Sequence, residues 1–166
     1  MRQLYLLRHA KSDWHSDFGD DHDRPLSSRG LGAARRMGEF LRDLEEIPDA
    51  VITSSAVRAE TTVRLAAEAG GWTSRVRVTK ALYTGGPAEV LAEVRREPAA
   101  HRSLLVAGHE PVWSTLVGQL VGGSRVRMVT AGLARVDFEI DAWHDLEPGR
   151  GTLIWLVAPK ILPGGE

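Results

Sequence analysis

Three short apolar runs, residues 4–7, 50–53 and 104–107, each break off at polar or turn-forming residues, and each is followed by a stretch of helical period. No other feature constrains the fold as strongly. A strand with one wet face would alternate apolar and polar residues, so an unbroken apolar run fits a strand covered on both sides. Such strands need helices on both faces of the sheet, joined mostly by right-handed crossovers.

The segments between the runs agree. Residues 11–25 are polar, carry Asp13, Asp17, Asp20, Asp21 and Asp23 with Gly19, and keep no period, so a surface loop is expected. Ser27 and Ser28 can cap a helix whose apolar positions are Leu31, Ala34, Met37, Leu41 and Leu44, ending before Pro48. Ser54 and Ser55 can cap a second, with Ala59, Val63 and Ala66, that runs to Gly70 and Gly71. Residues 76–78 read as a strand, and Pro87 opens a short helix through Val90, Leu91 and Val94 that Pro98 closes. Pro111 opens another through Leu116, Val117 and Leu120. Residues 133–140 and 152–157 read as strands with a hairpin-like connection, which makes the sheet mixed. The expected fold is α/β: a three-layer α/β/α sandwich on a mostly parallel, mixed central sheet. At 166 residues, one domain spanning 1–166 is expected.

Composition removes several classes of function. A formal net charge of -1 gives no global attraction for nucleic acid or an anionic membrane, so any anion site must be local. Zero cysteines exclude a disulfide framework, a thiolate nucleophile and cysteine-ligated metal. The apolar residues 4–7 are too few for a signal peptide, and no run approaches the length of a membrane helix. A soluble, cytoplasmic protein is expected.

In layered α/β sheets, ligands bind outside the carboxyl ends of the strands. Arg8 and His9 follow the first run, Ser54 and Ser55 follow the second with Arg58 just beyond, and Gly108, His109 and Glu110 follow the third. Two arginines and two histidines can meet there. Guanidinium forks match phosphate oxygens, and a helix N-terminus adds free N–H groups. Phosphoryl transfer needs in-line positioning, neutralised oxygens and a nucleophile, which a neutral imidazole can supply. His9, beside Arg8 at the end of a central strand, is the better nucleophile candidate; His109 then stabilises the charge of the transition state. Taken singly, each residue is more simply a solvated strand edge, a helix-surface charge or a turn residue.

The blocks Leu7-Arg8-His9-Ala10-Lys11-Ser12, Arg24-Pro25-Leu26-Ser27 with Gly30, Ser55-Ala56-Val57-Arg58-Ala59-Glu60-Thr61-Thr62 and Val106-Ala107-Gly108-His109-Glu110-Pro111 resemble, in that order, the histidine phosphatase superfamily. The resemblance covers nearly the whole chain and is nearest to the small phosphohistidine-phosphatase branch, the SixA-like proteins. It implies a phosphoglycerate mutase-like fold, phosphorylation of His9, a pocket completed by Arg8, Arg58 and His109, and neither metal nor cofactor. The glycine of the family's Arg-His-Gly motif is Ala10 here. Some members carry a proton donor directly after the second histidine, where this chain has Glu110; a carboxylate that complements the dipole of the following helix is the other reading of that residue.

The expected substrate is a phosphorylated protein bearing phosphohistidine, with a small phosphorylated metabolite as the alternative. The few residues between Arg58 and His109 leave little for a lid, which favours an open groove. A binding module without turnover would use the same arginines. Asp20, Asp21, His22 and Asp23 with Asp13, His15 and Asp17 raise a weaker alternative, a divalent cation site. Trp14 lies beside the expected mouth. The oligomeric state is not legible in the sequence.

Overall fold

The computed structural model describes residues 1–165. Six strands form one sheet: β1 (Arg2–Arg8), β2 (Ala50–Ser54), β3 (Arg75–Thr79), β4 (Ser103–Gly108), β5 (Leu133–Phe138) and β6 (Thr152–Val157), in the order β3-β2-β4-β1-β5-β6. β1 and β2 lie parallel to β4, and β3 lies parallel to β2. β5 runs antiparallel to both β1 and β6. The sheet is therefore mixed, with one reversed strand.

The helices are α1 (Ser28–Asp43), α2 (Val57–Gly70), α3 (Ala81–Thr84), α4 (Pro87–Arg95) and α5 (Val112–Leu120). They cover both faces. Tyr5, Leu7, Val51, Leu105 and Ala107 pack against Ala34, Met37 and Leu41 of α1 and Val63 of α2. Leu4, Leu6, Ile52, Leu104 and Val106 pack against Val90 and Val94 of α4 and Leu116, Val117 and Leu120 of α5. Alternate side chains of the same unbroken apolar runs thus enter two different cores, which is why the runs do not alternate with polar residues. No helix among the described residues is long and apolar enough to cross a membrane.

Ser27 caps α1 as its sequence suggests, its Oγ accepting from the Gly30 N–H at 3.2 Å. The start of α2 differs from expectation. Its N-cap is Ala56, with no side-chain cap, because Ser54 and Ser55 have turned to other partners. Residues 11–25 do loop over the surface, but the loop is tied down. Ser12 bridges Leu26, a short 3₁₀ turn spans Asp21–Asp23, and Arg24 is buried.

The register decides what meets at the carboxyl edge. Arg8 pairs with Gly108 and Thr53 with Ala107, so β1, β2 and β4 end side by side. The N–H of His9 donates to the Gly108 carbonyl at 2.9 Å, continuing the ladder one residue past the strand.

Candidate active site

The strand ends enclose a cleft of about 340 Å³ lined by Arg8, His9, Arg24, Arg58, His109 and Glu110, with Lys11, Ser12, Trp14 and Thr130 at its sides. Arg8, His9, Arg58, His109 and Glu110, the five residues singled out from the sequence, all lie on it.

His9 is buried, and its Nδ1 lies 2.7 Å from the Ala10 carbonyl. A carbonyl can only accept, so Nδ1 carries the proton and Nε2 is left with its lone pair. The Ala10 N–H donates to Thr62 Oγ1 at 3.0 Å, and Thr62 donates to the Arg58 carbonyl at 2.6 Å. The backbone that orients His9 is thereby fixed to α2. Ala10 itself is fully buried in the core.

The ring of His109 lies 5.2 Å from that of His9, centroid to centroid. Its Nε2 is 2.7 Å from Ser54 Oγ, which also accepts from the Ala56 N–H. The hydroxyl proton of Ser54 is thus available to Nε2, an arrangement that leaves the imidazole hydrogen on Nδ1. Burial, with Arg58 nearby, pushes His109 down to about 4, and burial pushes His9 down to about 3. Both imidazoles are neutral near pH 7.

The guanidinium groups converge from three elements. Arg8, on β1, donates to the Met128 carbonyl at 2.9 Å. Arg58, on α2, donates to the Asp21 carbonyl at 2.8 Å and to its carboxylate at 3.1 Å. Arg24, on the loop, donates to Ser12 Oγ and to the Asp21 carboxylate, and its guanidinium carbon sits 3.6 Å from the centre of the exposed Trp14 ring. Tyr83 of α3 donates to Asp21 at 3.0 Å. Asp21 therefore clamps two arginines and a tyrosine, and the Arg24 hydrogen bond holds its carboxyl down at about 2.

Among the described residues, seven buried side-chain nitrogens have no hydrogen-bond partner, and four of them, Nε of Arg8, Arg24 and Arg58 and Nδ1 of His109, belong to this cleft. Buried donors are almost always paired, and leaving one unmade is costly. The guanidinium groups of Arg8, Arg24 and Arg58 on one cleft suit the oxygens of a compact anion such as a phosphoryl group.

Glu110 lines the same cleft but faces α5. Its carboxylate accepts from the Ser114 N–H at 2.7 Å and from the Ser114 hydroxyl at 2.5 Å. Ser114 Oγ in turn accepts from the Met128 N–H, and the Met128 carbonyl holds Arg8. Glu110 is thus wired into the first turn of the helix and, two bonds further on, into the seat of Arg8.

The acidic loop is spread out. Asp21 turns inward to the arginines, Asp13 accepts from the His15 N–H, and His22 bonds Ser55. No three His, Asp or Glu side chains among the described residues gather as metal ligands would. The segment between Arg58 and His109 adds one neighbour of the site not foreseen from sequence, Tyr83, whose ring lies 5.7 Å from that of His109. Arg24 and Asp21 were also missed as site residues; the sequence signal for Arg24 is its place in the block Arg24-Pro25-Leu26-Ser27.

The fold and this cleft define a class: a layered α/β protein with two histidines and a ring of arginines at the carboxyl edge of its sheet. The family model described as histidine phosphatase superfamily (branch 1) matches residues 4–83. A solved chain from Nakamurella multipartitia, assigned as a SixA phosphohistidine phosphatase, superposes with a TM-score of 0.83 at 32% identity, covering 95% of this chain and 96% of that one. The protein histidine phosphatase SixA solved in complex with tungstate gives 0.81 at 26% identity, covering 95% and 97% of the two chains. Phosphohistidine phosphatase SixA of Escherichia coli is 28% identical over 95% of this chain and 94% of its own length. The chain belongs to the histidine phosphatase superfamily, and in sequence and fold it is similar to SixA proteins.

Proposed function

We propose that this protein is a metal-independent phosphatase that takes the phosphoryl group onto His9 as a covalent phosphohistidine, and that its substrate is a protein phosphohistidine. The observation that carries the reading is how His9 is held: Nδ1 is committed to the Ala10 carbonyl, so the free lone pair is on Nε2, inside a ring of guanidinium groups. Nε2 attacks phosphorus, and a P–N bond forms as the bond to the leaving group breaks and its electron pair departs with that group. Arg8 and Arg58 neutralise the phosphoryl oxygens during transfer, and neutral His109 stabilises them by hydrogen bonding. Water then attacks the phosphorus, the P–N bond breaks, and phosphate leaves with His9 neutral again. Similarity to phosphohistidine phosphatases supports the choice of substrate. The reading takes residues 1–166 as one catalytic domain, and the absence of cysteine suits work in the cytoplasm.

The test compares wild type and His9→Ala on an aryl phosphate and on a phosphohistidine protein, in chelator, with an alkaline quench that preserves phosphoramidates. Expected are chelator-resistant turnover, faster on the phosphohistidine protein, a label on His9, and a loss on the order of 10⁴-fold or more in His9→Ala. An active His9→Ala sinks the mechanism. A preference for small esters reassigns the substrate to a phosphorylated metabolite, and phosphate binding without turnover makes the chain a binding module.

A further inference from the structure

The cleft does not end at the phosphate ring. Lys11 and Thr130 line it, and the same two residues line a second, smaller groove completed by Arg29, Ala33, Arg36 and Pro159. The two depressions share a wall. Arg29, Ala33 and Arg36 stand at i, i+4 and i+7 on α1 and so occupy one face of the helix. At a rise of 1.5 Å per residue, the two arginine positions are about 10 Å apart along that face.

The charge of the groove is of one sign. Lys11, Arg29 and Arg36 line it and no Asp or Glu does. Among the described residues, none of the three takes part in an ion pair. Arg29 also stands in the first turn of α1, where the helix dipole disfavours a cation, and it is exposed, so packing gives no reason for it. No carboxylate of the acidic loop lines the groove. Asp21 of that loop bonds Arg58 on α2 and Tyr83 on α3, which pack by β2 and β4, whereas Thr130 and Pro159 lie by β5 and β6, on the other side of β1 in the sheet.

We propose that this groove is a docking subsite for acidic side chains of the substrate protein, receiving carboxylates that flank the phosphorylated residue. The proposal rests on the protein-phosphatase reading above and narrows its substrate class. Charge complementarity fixes the occupant, and the span fixes its spacing: about 10 Å corresponds to roughly three residues of extended chain.

The test uses two phosphohistidine peptides of equal length, one with Asp and Glu at the flanking positions and one with Ala, on wild type and on an Arg29→Glu/Arg36→Glu double variant. The readout is the ratio of kcat/KM for the two peptides on the same enzyme, which cancels any loss of folded protein. Wild type is expected to prefer the acidic peptide by about 10-fold or more at low salt, mainly through KM, with the preference shrinking as salt rises. The double variant is expected to lose or invert it. Equal kcat/KM on wild type, or a preference that survives in the double variant, overturns the proposal. If neither peptide is turned over, the catalytic reading fails. The groove is then judged by calorimetric titration with the unphosphorylated acidic peptide, where equal binding by wild type and double variant overturns it as well. Faster turnover of a small bisphosphorylated compound, sensitive to the same double variant, assigns the groove to a metabolite and overturns the peptide.

Discussion

Burying an imidazole beside guanidinium groups disfavours its protonated form, and the folded state bears the consequence as acid is added. Above about pH 6.5, His9 and His109 are neutral in both the folded and the unfolded chain and leave stability unchanged. Below it the unfolded chain takes up protons that the fold refuses, down to about 4 for His109 and about 3 for His9, so stability falls as pH falls through this window. The loss is up to about 1.4 kcal/mol per pH unit for each histidine. Denaturant unfolding at several pH values is expected to show a shallower fall in His9→Asn; an unchanged slope would mean that His9 is not its source. Glu110 allows a second prediction. With both oxygens held by Ser114, it is expected to act on position, not as the proton donor. Glu110→Gln is expected to keep kcat within about 10-fold of wild type, while Glu110→Ala loses on the order of 1 kcal/mol of stability with its cap. A kcat for Glu110→Gln that falls by about 1,000-fold with stability intact would restore the donor role. Arg8, His9 and His109 were legible as neighbours because each follows a strand whose end the apolar run marks. Asp21 and Tyr83 were not, since they come from a loop and a one-turn helix whose paths no periodicity records.

Among the elements, α2 carries Arg58, and α1 packs against it. They approach until backbones touch: a Cβ on Gly38 would lie 1.9 Å from the Ala66 carbonyl oxygen. Gly30 is pressed against the Lys11 carbonyl oxygen in the same way, at 2.1 Å, so the first turn of α1 sets the course of the chain just after His9. Gly38→Val is expected to push the helices apart and cost several kcal/mol, and because α2 positions Arg58 and Thr62, it is expected to weaken phosphate binding in the protein that still folds. Thermal melts and phosphate titration check this, and a variant with wild-type melting would show that the helices slide freely. The strands and helices were largely readable from apolar runs and three- to four-residue spacing. The error at the N-terminus of α2 has a physical cause: Ser54 and Ser55 look like caps in sequence, yet tertiary partners, His109 and His22, compete for their hydroxyls and win.

For the whole molecule, a net charge of -1 conceals a local gathering of cations, Arg8, Lys11, Arg24, Arg29, Arg36 and Arg58, along two adjoining clefts. The strand order has a further consequence, which concerns how the chain is made. β1 is the first strand to leave the ribosome, yet its two neighbours, β4 and β5, end at residues 108 and 138. Residues 4–83, the stretch that matches the family model, hold β1, β2 and β3 but lack β4, which must stand between β1 and β2. Such a segment can pair β2 with β3 but leaves β1 with no neighbour. A chain truncated after residue 125 would keep β4 but lose β5, together with Met128 and Gly132, whose carbonyls hold Arg8. It is expected to show no cooperative unfolding and no phosphate binding; a soluble fragment that melts cooperatively and binds phosphate would refute this. The apolar heart of the nascent protein thus waits, β1 lacking both of its neighbours, until most of the polypeptide has been synthesised, an interval in which exposed apolar surface and open strand edges favour aggregation.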